Sequence, residues 1–285
     1  MRVLVFGQTG QVARELARAV PKGVKARFLG RGQADLMDPA ACAAQVRDCD
    51  AVINAAAWTA VDKAESEEAA ATVVNGAAPA AMARACAALG VPFLHVSTDY
   101  VFDGAGETPF LPGDAVAPLG AYGRSKLAGE AGVQAAGGRW LILRTSWVFS
   151  AYGNNFVKTM LRLGTDRREV NVVADQVGGP TPASAIAGAL YVCAAAMVGG
   201  ALGGGALGGM HHFAGAPDTT WADFARAIMA AGQRDCKVAD IVSSDYPTPA
   251  RRPLNSRLDC ASLALFGLTR PDWRAALPGI IKDLT

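Results

Sequence analysis

The chain has 285 residues, of which 51% are hydrophobic, and a formal net charge of only +2. This composition is typical of a folded protein with a sizeable core and argues against global disorder. Since basic and acidic residues are dispersed and nearly balanced in number, the charge gives no reason to expect a nucleic acid partner.

The first half of the chain alternates short β-branched runs with alanine-rich helical patterns. The pattern predicts strands over 3–6, 25–29, 51–53, 92–96 and 140–144, and helices over 11–20, 39–46, 67–89 and 125–135. Repeated strand–helix units indicate a parallel sheet covered by helices on both faces. We therefore predict an α/β fold, a Rossmann-type doubly wound parallel sheet with a smaller C-terminal α/β substrate-binding domain.

The second half predicts strands over 170–174 and 211–214, helices over 183–198 and 220–232, and a short C-terminal helical region after proline-rich loops. The glycine-rich segment 199–210 is interpreted as a flexible loop. Residues 1–150 are assigned to an NAD(P)-binding domain, to which the chain returns over about 168–215. Residues 151–285 are assigned mainly to the substrate-binding domain.

The cysteines and the apolar segments indicate in which cellular compartment the protein is expected. The six cysteines form no C-x-x-C pair and have no histidines at zinc-ligand spacing, which indicates free thiols in a reducing environment. No charged and apolar signal segment precedes the first strand, and the longest apolar stretch, 183–198, is short for a membrane span. These features predict a cytoplasmic protein without a membrane segment.

A glycine-containing turn, GQTGQVA (7–13), follows the first strand directly and opens the first helix. Gly7 permits a tight turn, Gly10 lets the backbone approach a pyrophosphate, and Ala13 takes the place of the third glycine of dinucleotide-binding turns. The start of the helix supplies backbone N–H groups for phosphate. In this strand–turn–helix context the motif predicts a dinucleotide cofactor.

The ends of the next two strands refine the cofactor prediction. Arg31 stands where an acid would otherwise bind the ribose 2′-hydroxyl, and an arginine there can meet a 2′-phosphate. This favours NADPH, with NADH as the alternative if Arg31 is only a solvated surface residue. Asp35 and Leu36 could flank the adenine, although Asp35 could equally be a turn residue. The alanines at 55–57 suit close approach by a flat cofactor, or plain packing.

A hydroxyl at the end of the fourth strand and a tyrosine–lysine pair suggest the chemistry. Tyr122 and Lys126 are four residues apart, so a helix places them on one face. Tyrosine ordinarily loses its proton near pH ~10, and a nearby lysine cation lowers that pKa. With Thr98, the pair provides what a carbonyl-reducing site needs. The alternative interpretation of the pair alone is a solvated helix face.

Longer strings carry a family resemblance: VSTDYVFDG (96–104), LRTSWVF (143–149), GNNFVKTMLRL (153–163) and YPTPARRPLNSRLD (246–259). With the glycine turn and the tyrosine–lysine pair, the chain resembles the extended short-chain dehydrogenase/reductases, and within them the dTDP-4-dehydrorhamnose reductases. The resemblance implies that Thr98, Tyr122 and Lys126 are catalytic in the NAD(P)H-dependent reduction of a dTDP-4-keto sugar. Tyr122 would donate a proton to the sugar O4 while the nicotinamide delivers hydride to C4.

Further contacts follow from the resemblance and from the motifs. Cofactor contacts are expected at Gly7, Gly10, Gln11, Val12, Arg31, Asp35, Leu36, Ala57, Trp58, Thr59, Val96, Tyr122 and Lys126. Contacts with the dTDP-sugar are expected at Thr98, Asp99, Tyr100, Trp147, Asn155 and Arg252. Arg252 is a candidate partner for the diphosphate. The alternatives are that Arg251 binds the diphosphate instead, or that neither arginine does.

Two positions depart from the family pattern. Position 58 is Trp, where a smaller or polar ring such as His is expected. Some family members hold a metal between subunits with clustered acids, and here Glu15 is retained while Ser184 stands where another acid is expected. Mg is therefore a doubtful cofactor, no metal ligand is predicted, and the chain could be a monomer or a homodimer.

Two other classes of function compete with a reductase. A dehydratase or epimerase of the same fold keeps NAD bound, and the dehydratases follow the threonine with an Asp-Glu pair, whereas here Asp99 precedes Tyr100. A non-catalytic NADP-binding regulatory subunit would have no need of Thr98, Tyr122 and Lys126. Among reductases, the sequence does not distinguish one 4-keto-6-deoxy sugar nucleotide from another.

Overall fold

The computed structural model describes residues 1–200 and 208–284. Its N-terminal half alternates strands with helices as the sequence predicts. In chain order the elements are β1 (Arg2–Phe6), α1 (Gln11–Arg18), β2 (Lys25–Leu29), α2 (Pro39–Ala44), β3 (Ala51–Asn54), α3 (Val61–Ala64), α4 (Glu68–Thr72), α5 (Ala78–Ala88), β4 (Phe93–Thr98), α6 (Ala121–Ala135) and β5 (Trp140–Thr145).

The rest of the chain mixes short strands with longer helices. These elements are β6 (Val148–Phe149), α7 (Phe156–Asp166), β7 (Glu169–Val173), β8 (Val177–Gly178), β9 (Thr181–Pro182), α8 (Ala183–Gly199), β10 (Gly209–His212), β11 (Thr219–Thr220), α9 (Trp221–Ala231), β12 (Lys237–Ile241), β13 (Asn255–Ser256) and α10 (Trp273–Lys282). Residues 201–207 of the predicted glycine-rich loop lie outside the described residues.

The main sheet has six parallel strands in the order β10-β5-β4-β3-β1-β2. This confirms the predicted α/β fold of the Rossmann type. Successive residues of β1 alternate between two apolar cores, with Val3 and Val5 in one and Leu4 and Phe6 in the other, because strand side chains point alternately to the two faces. The strand order reverses between β1 and β3, which opens a crevice at their carboxyl ends.

The C-terminal part has its own apolar core, built by α7, α9 and α10 against β7 and β12. The strand predicted over 170–174 is found as β7, but it pairs with β12 in a separate two-stranded sheet. Within the predicted return of the chain over 168–215, α8 packs on α1 and β10 forms an edge of the main sheet. The division of the chain into two domains stays a prediction.

The two longest elements of this part that the sequence prediction lacks are α7 and β12; the two-residue strands are absent from it as well. Helix α7 follows its N-cap Asn155, whose Oδ1 accepts from Lys158 N at 3.1 Å, and it buries Val157 and Met160. A cap followed by this apolar spacing is a helix signal that the sequence does contain. Strand β12 gives a weaker signal, since it has one buried side chain, Val238, and a single partner strand.

The helix predicted over 67–89 is interrupted by a π-helical turn over 73–77, between α4 and α5. Pro79 explains the interruption, because it has no N–H to donate to the carbonyl of Asn75, four residues earlier, and its ring crowds that carbonyl. The Asn75 carbonyl is directed towards α6, where a Cβ added at Gly129 would overlap it. The absence of a side chain at Gly129 therefore lets α6 pack closely on this turn.

Within the described residues, no helix is both long enough and apolar enough to cross a membrane.

Replacing Gly129 by Ala should destabilise the protein by about 2 kcal/mol or more, because the added methyl group overlaps backbone rather than a flexible side chain. The free energy of unfolding from urea denaturation measures this. The matched control is Gly188→Ala in α8, where an added Cβ meets nothing within 4 Å. Since alanine favours a helix over glycine, that variant should be more stable by about 0.5–1 kcal/mol. Equal losses in both variants would contradict the proposed close packing.

Candidate active site

The first turn of the sheet brings three backbone segments together. Gly7 has φ +120°, and its N–H donates to the carbonyl of Leu29 at 2.9 Å. A Cβ at Gly7 would press on Ala13 Cβ at 3.2 Å and on the backbone of Ala55 at 3.3 Å. Only glycine combines this positive φ with so close an approach. The turn therefore lies against the end of β3, as the dinucleotide-binding motif requires.

Helix α1 begins beside an open space. Among the described residues, a Cβ at Gly10 would meet nothing within 4 Å and no side chain caps the start of the helix. Its first N–H groups are thus left without a side-chain acceptor, as an anion-binding helix start requires. Gln11 is anchored at this point, because its Oε1 accepts from Ser150 Oγ at 3.0 Å and from Asn155 Nδ2 at 2.9 Å. Val12 packs against the core of the main sheet.

The segment after β2 contains the predicted adenine-side residues. Arg31 is exposed at the start of a turn. Asp35 Oδ1 accepts from Met37 N at 3.0 Å, which makes Asp35 a turn residue in this structure. Leu36 is 9% exposed and belongs to the core that packs under α2. Of these three side chains, Arg31 is the one directed freely into solvent.

The segment from Ala57 to Thr59 is held by Asn75, a residue that the sequence analysis did not single out. Asn75 Oδ1 accepts from Trp58 N at 2.8 Å, and its Nδ2 donates to Trp58 O at 3.1 Å and to Ser125 Oγ at 3.0 Å. One buried amide thereby joins this segment to α6. Ala57 and Thr59 are left exposed, while the half-buried Trp58 packs near Tyr122.

Thr98 ends β4 in a short hydrogen-bond chain. Its Oγ1 donates to Asp99 Oδ1 at 3.0 Å and accepts from Tyr100 N at 3.2 Å. Burial raises the pKa of Asp99 to about 6, against the opposing effect of hydrogen bonds from Ser256 and Thr98. Ser256, on β13, is a second site residue that the sequence analysis did not name. The C-terminal part thus contributes directly to the group around Thr98.

Tyr122 stands on α6 beside Thr98 and Tyr100. The rings of Tyr100 and Tyr122 meet edge to face, with centroids 5.4 Å apart. Burial raises the pKa of Tyr122, the charge of Asp99 raises it further, and a hydrogen bond with Thr98 opposes both effects. The expectation that a nearby lysine lowers this pKa is wrong for the structure described, because desolvation dominates. Tyr122 is consequently a neutral phenol that can donate a proton at neutral pH.

Lys126 lies one turn further along α6 and is 2% exposed. Its Nζ donates to the carbonyl of Val96 at 2.7 Å and lies 3.3 Å from His95 Nε2. Burial lowers the pKa of Lys126 to about 8, although the negative charge of Glu130 raises it. The lysine is therefore held at the strand end in a state close to ionisation equilibrium.

Arg252 faces the same group from the C-terminal part. Its Nη2 donates to Asp62 Oδ2 at 2.8 Å, it hydrogen-bonds to the Tyr100 hydroxyl, and its Nη1 is buried without a hydrogen-bond partner among the described residues. Burial raises the pKa of Tyr100 to about 12, and the charge of Arg252 acts against that effect.

A cavity of about 710 Å³ opens beside Arg252 and extends along the C-terminal loop. Its walls combine polar and apolar side chains, including Asp103, Gln176, Tyr246, Arg251, Arg252 and Leu254. A space of this size fits a small polar molecule rather than a macromolecule.

The remaining predicted substrate residues have mainly structural contacts. Trp147 has a left-handed φ of +49°, which is uncommon for a non-glycine residue, and its ring stacks on Trp221 with centroids 3.7 Å apart. It also lies against Gly178, the neighbour of Ser256 in the β8–β13 pair. Asn155 uses its amide to cap α7 and to bind Gln11, so its contacts are on the side of α1.

The fit to a metal is poor. Glu15 is buried and accepts from Arg18 Nε at 3.0 Å, and Ser184 offers no carboxylate. In residues 1–200 and 208–284, no group of three or more His, Cys, Asp or Glu side chains is placed to hold a metal ion.

Comparison with known proteins gives consistent matches along the whole chain. Residues 1–285 match the family model described as the RmlD substrate binding domain. The dTDP-4-dehydrorhamnose reductase of Burkholderia thailandensis is 46% identical over 100% of this chain and 99% of the relative. The protein of that name from Escherichia coli K12 is 41% identical over 100% and 98%. A solved dTDP-4-dehydrorhamnose reductase from Bacillus anthracis, in complex with NADP, has a TM-score of 0.90 and 30% identity over 99% of both chains.

Replacing Asn75 by Ala should cost about 2 kcal/mol of stability, because the partly buried N–H and C=O of Trp58 and the buried hydroxyl of Ser125 lose a partner. Thermal or urea unfolding measures the loss, and amide hydrogen exchange should show faster exchange at Trp58. Asn171→Ala, at an exposed position of β7, makes the same chemical change and should alter stability by less than about 0.5 kcal/mol. Unchanged exchange at Trp58 in the Asn75 variant would count against this role.

Proposed function

The chain belongs to the family of the dTDP-4-dehydrorhamnose reductases, which are oxidoreductases, and we propose that it reduces the C4 ketone of dTDP-4-dehydro-L-rhamnose to dTDP-L-rhamnose with NADPH. The observation that carries the proposal is the placement of Thr98, Tyr122 and Lys126. Tyr122 hydrogen-bonds Thr98, the last residue of β4, and Lys126 Nζ donates to Val96 O two residues earlier, so all three side chains lie near the carboxyl end of β4.

Tyr122 acts as the proton donor in this proposal. A general acid has to be protonated before the reaction, and the raised pKa of Tyr122 keeps its phenol neutral. Thr98 Oγ1 is held by a hydrogen bond from Tyr100 N. When substrate binds, its hydroxyl proton would turn from Asp99 Oδ1 to the carbonyl oxygen and orient that oxygen beside the phenol. As the proton moves to O4, a positive charge on Lys126 stabilises the phenolate that forms.

The dinucleotide site fits NADPH. The close approach at Gly7 and the open start of α1 suit a pyrophosphate, and the exposed Arg31 suits a 2′-phosphate. When bound, the cofactor supplies the hydride for C4. The Bacillus anthracis relative is described as a complex with NADP, which supports the same cofactor here. Ala57, Trp58 and Thr59, held by Asn75, are proposed to border the nicotinamide half.

The cavity beside Arg252 fits the nucleotide end of the substrate. A diphosphate needs cationic donors, and Arg252 has a buried Nη1 without a protein partner among the described residues. We assign Asp99 and Tyr100 to the sugar side of the site, because both hydrogen-bond with Thr98 Oγ1. We assign Trp147 to the border of this site and give Asn155 a weaker claim, because its amide is engaged elsewhere.

The direct test mixes the protein with NADPH and dTDP-4-dehydro-L-rhamnose and follows the absorbance of the reduced cofactor. Oxidation of NADPH with formation of dTDP-L-rhamnose is expected. Cofactor binding without oxidation would overturn the proposal and favour a non-catalytic NADP-binding role. The same assay with NADH measures the preference that we assign to Arg31.

Tyr122→Phe should retain cofactor binding and lose turnover by roughly 100- to 10,000-fold, because it removes only the hydroxyl that donates the proton. The kcat and the cofactor Kd measure the two effects separately. Tyr191→Phe is the matched control, since it removes a buried hydroxyl that donates to Leu16 O at 2.9 Å in the contact of α8 with α1. Full turnover in the Tyr122 variant would refute its assigned role.

Arg252→Met should raise the KM for the dTDP-sugar by about 10-fold or more and leave kcat nearly unchanged, because a charge-assisted contact with the diphosphate is lost. Arg251→Met removes the neighbouring, exposed arginine of the same cavity. If Arg251→Met raises the KM more than Arg252→Met does, then Arg251 rather than Arg252 is the residue that binds the diphosphate.

A further inference from the structure

Behind Lys126 lies a row of buried polar side chains that the proposed mechanism does not use. Asn54 ends β3, and His95 is its directly paired neighbour on β4. Asn54 Nδ2 lies 3.1 Å from His95 Nδ1, and His95 Nε2 lies 3.3 Å from Lys126 Nζ. The exposed fractions of the three residues are 1%, 0% and 2%. Because water does not reach these groups, each nitrogen has to find its partner within the row.

The orientation of the Asn54 amide is fixed by the backbone. Ala56 N donates to Asn54 Oδ1 at 3.1 Å, and a backbone N–H can only donate. The amide oxygen must therefore face Ala56, which leaves the amide nitrogen, also a donor, facing His95 Nδ1. Turning the amide over would set two donors against each other at Ala56. His95 Nδ1 is accordingly the acceptor and carries no proton.

The state of His95 follows from this contact. Burial lowers the pKa of His95 well below its usual range, and any positive charge on Lys126 lowers it further, so the ring is neutral in either state of the lysine. A neutral imidazole with an unprotonated Nδ1 carries its proton on Nε2. That N–H points at Lys126 Nζ. An ammonium group has no lone pair to accept it, whereas the neutral amine has one.

We propose that His95 is a positioning residue of the reductase site: fixed by Asn54 with its proton on Nε2, it donates to Lys126 Nζ and favours the neutral amine over the ammonium. The proposal rests on the function proposed above. The amine then accepts from His95, donates to Val96 O at 2.7 Å, and has one N–H left for a bound molecule. His95 thus sets both the position of Nζ and its proton affinity.

Other charged groups near Lys126 also bear on whether it is protonated. Glu130, one turn along α6, favours the ammonium, but it is itself paired with Arg144 of β5 through Nη2 to Oε2 at 2.6 Å. Tyr122, on the same helix, is neutral before proton transfer. Asp99, directly after the carboxyl end of β4, acts on Tyr122, whose pKa its charge raises. The remaining charges near α6 lie at its exposed start, where Glu65 accepts from Ala121 N and Glu68 pairs with Arg124.

The consequence for the reaction is a lysine whose charge is not permanent. Its pKa of about 8 lies close to neutral pH, where proton exchange is easiest. At neutral pH, below that value, the ammonium form predominates, so its positive charge is present to stabilise the phenolate that Tyr122 becomes. Activity that requires the ammonium should fall as pH rises through the pKa of Lys126.

The tautomer of His95 can be measured directly by ¹⁵N NMR at neutral pH, without substrate. The chain has only three histidines, so the His95 signals are those lost in His95→Gln. Long-range ¹H–¹⁵N spectra should show a neutral ring protonated on Nε2. A ring protonated on Nδ1, or on both nitrogens, would overturn the proposal. This readout needs no catalysis, so it decides the role of His95 even if the protein fails as a reductase.

Two variants test the effect on Lys126 through different contacts. In His95→Gln, the new amide oxygen can turn to accept from the Lys126 ammonium. In Asn54→Asp, the new carboxylate accepts from His95 Nδ1, so the ring proton moves to Nδ1 and leaves Nε2 as an acceptor for Lys126. Both should move the alkaline limb of kcat/KM up by about one pH unit. The NMR spectrum of Asn54→Asp should show the switched ring proton.

His211→Gln is the matched control, because His211 lies on β10, at the far edge of the main sheet, with its Nδ1 2.9 Å from Ser262 Oγ. Its alkaline limb should coincide with that of the unchanged protein. If neither the His95 nor the Asn54 variant moves the limb while the protein remains active, the proposal is overturned. A rate lowered equally at all pH values would show a merely structural role and would overturn it as well.

Discussion

The contact of α6 with the π-helical turn at Asn75 is the constraint on which the site depends. Pro79 removes the N–H that a regular helix would supply to the Asn75 carbonyl, and Gly129 leaves room for that carbonyl against α6. The Asn75 side chain then ties the segment around Trp58 to Ser125 of the same helix. The local irregularity thereby sets the distance between the proposed cofactor segment and the helix of Tyr122 and Lys126.

Burial, rather than attraction between the site residues, controls their protonation. Asp99, Tyr122 and Lys126 all shift towards their neutral forms, because removal from water penalises charge. A neutral phenol suits a proton donor, and a lysine with a pKa of about 8 still carries its charge in most molecules at neutral pH. The strands hold these groups in place through backbone contacts, as the bond from Lys126 Nζ to Val96 O illustrates.

The parts that could be predicted from the sequence are those whose signal is local. The glycine turn lies within seven residues, and Tyr122 and Lys126 share one helical turn. Asn54 and His95 are 41 residues apart, and only the pairing of β3 with β4 brings them together. Asn75 lay inside an apparently regular helix, and the lowered pKa expected for Tyr122 ignored burial. Residues whose roles arise from strand register or desolvation leave no such local pattern.

The ion pair of Asp62 with Arg252 joins residues that are 190 positions apart in the chain. A contact over such a separation forms only after the entropy of closing the intervening loop has been overcome. During synthesis, the main sheet up to β5 can fold before Arg252 has left the ribosome. The nucleotide-binding turn and the Tyr122–Lys126 pair are thus assembled early. The cationic end of the cavity is added later, so the proposed dinucleotide site can form before the proposed substrate site is complete.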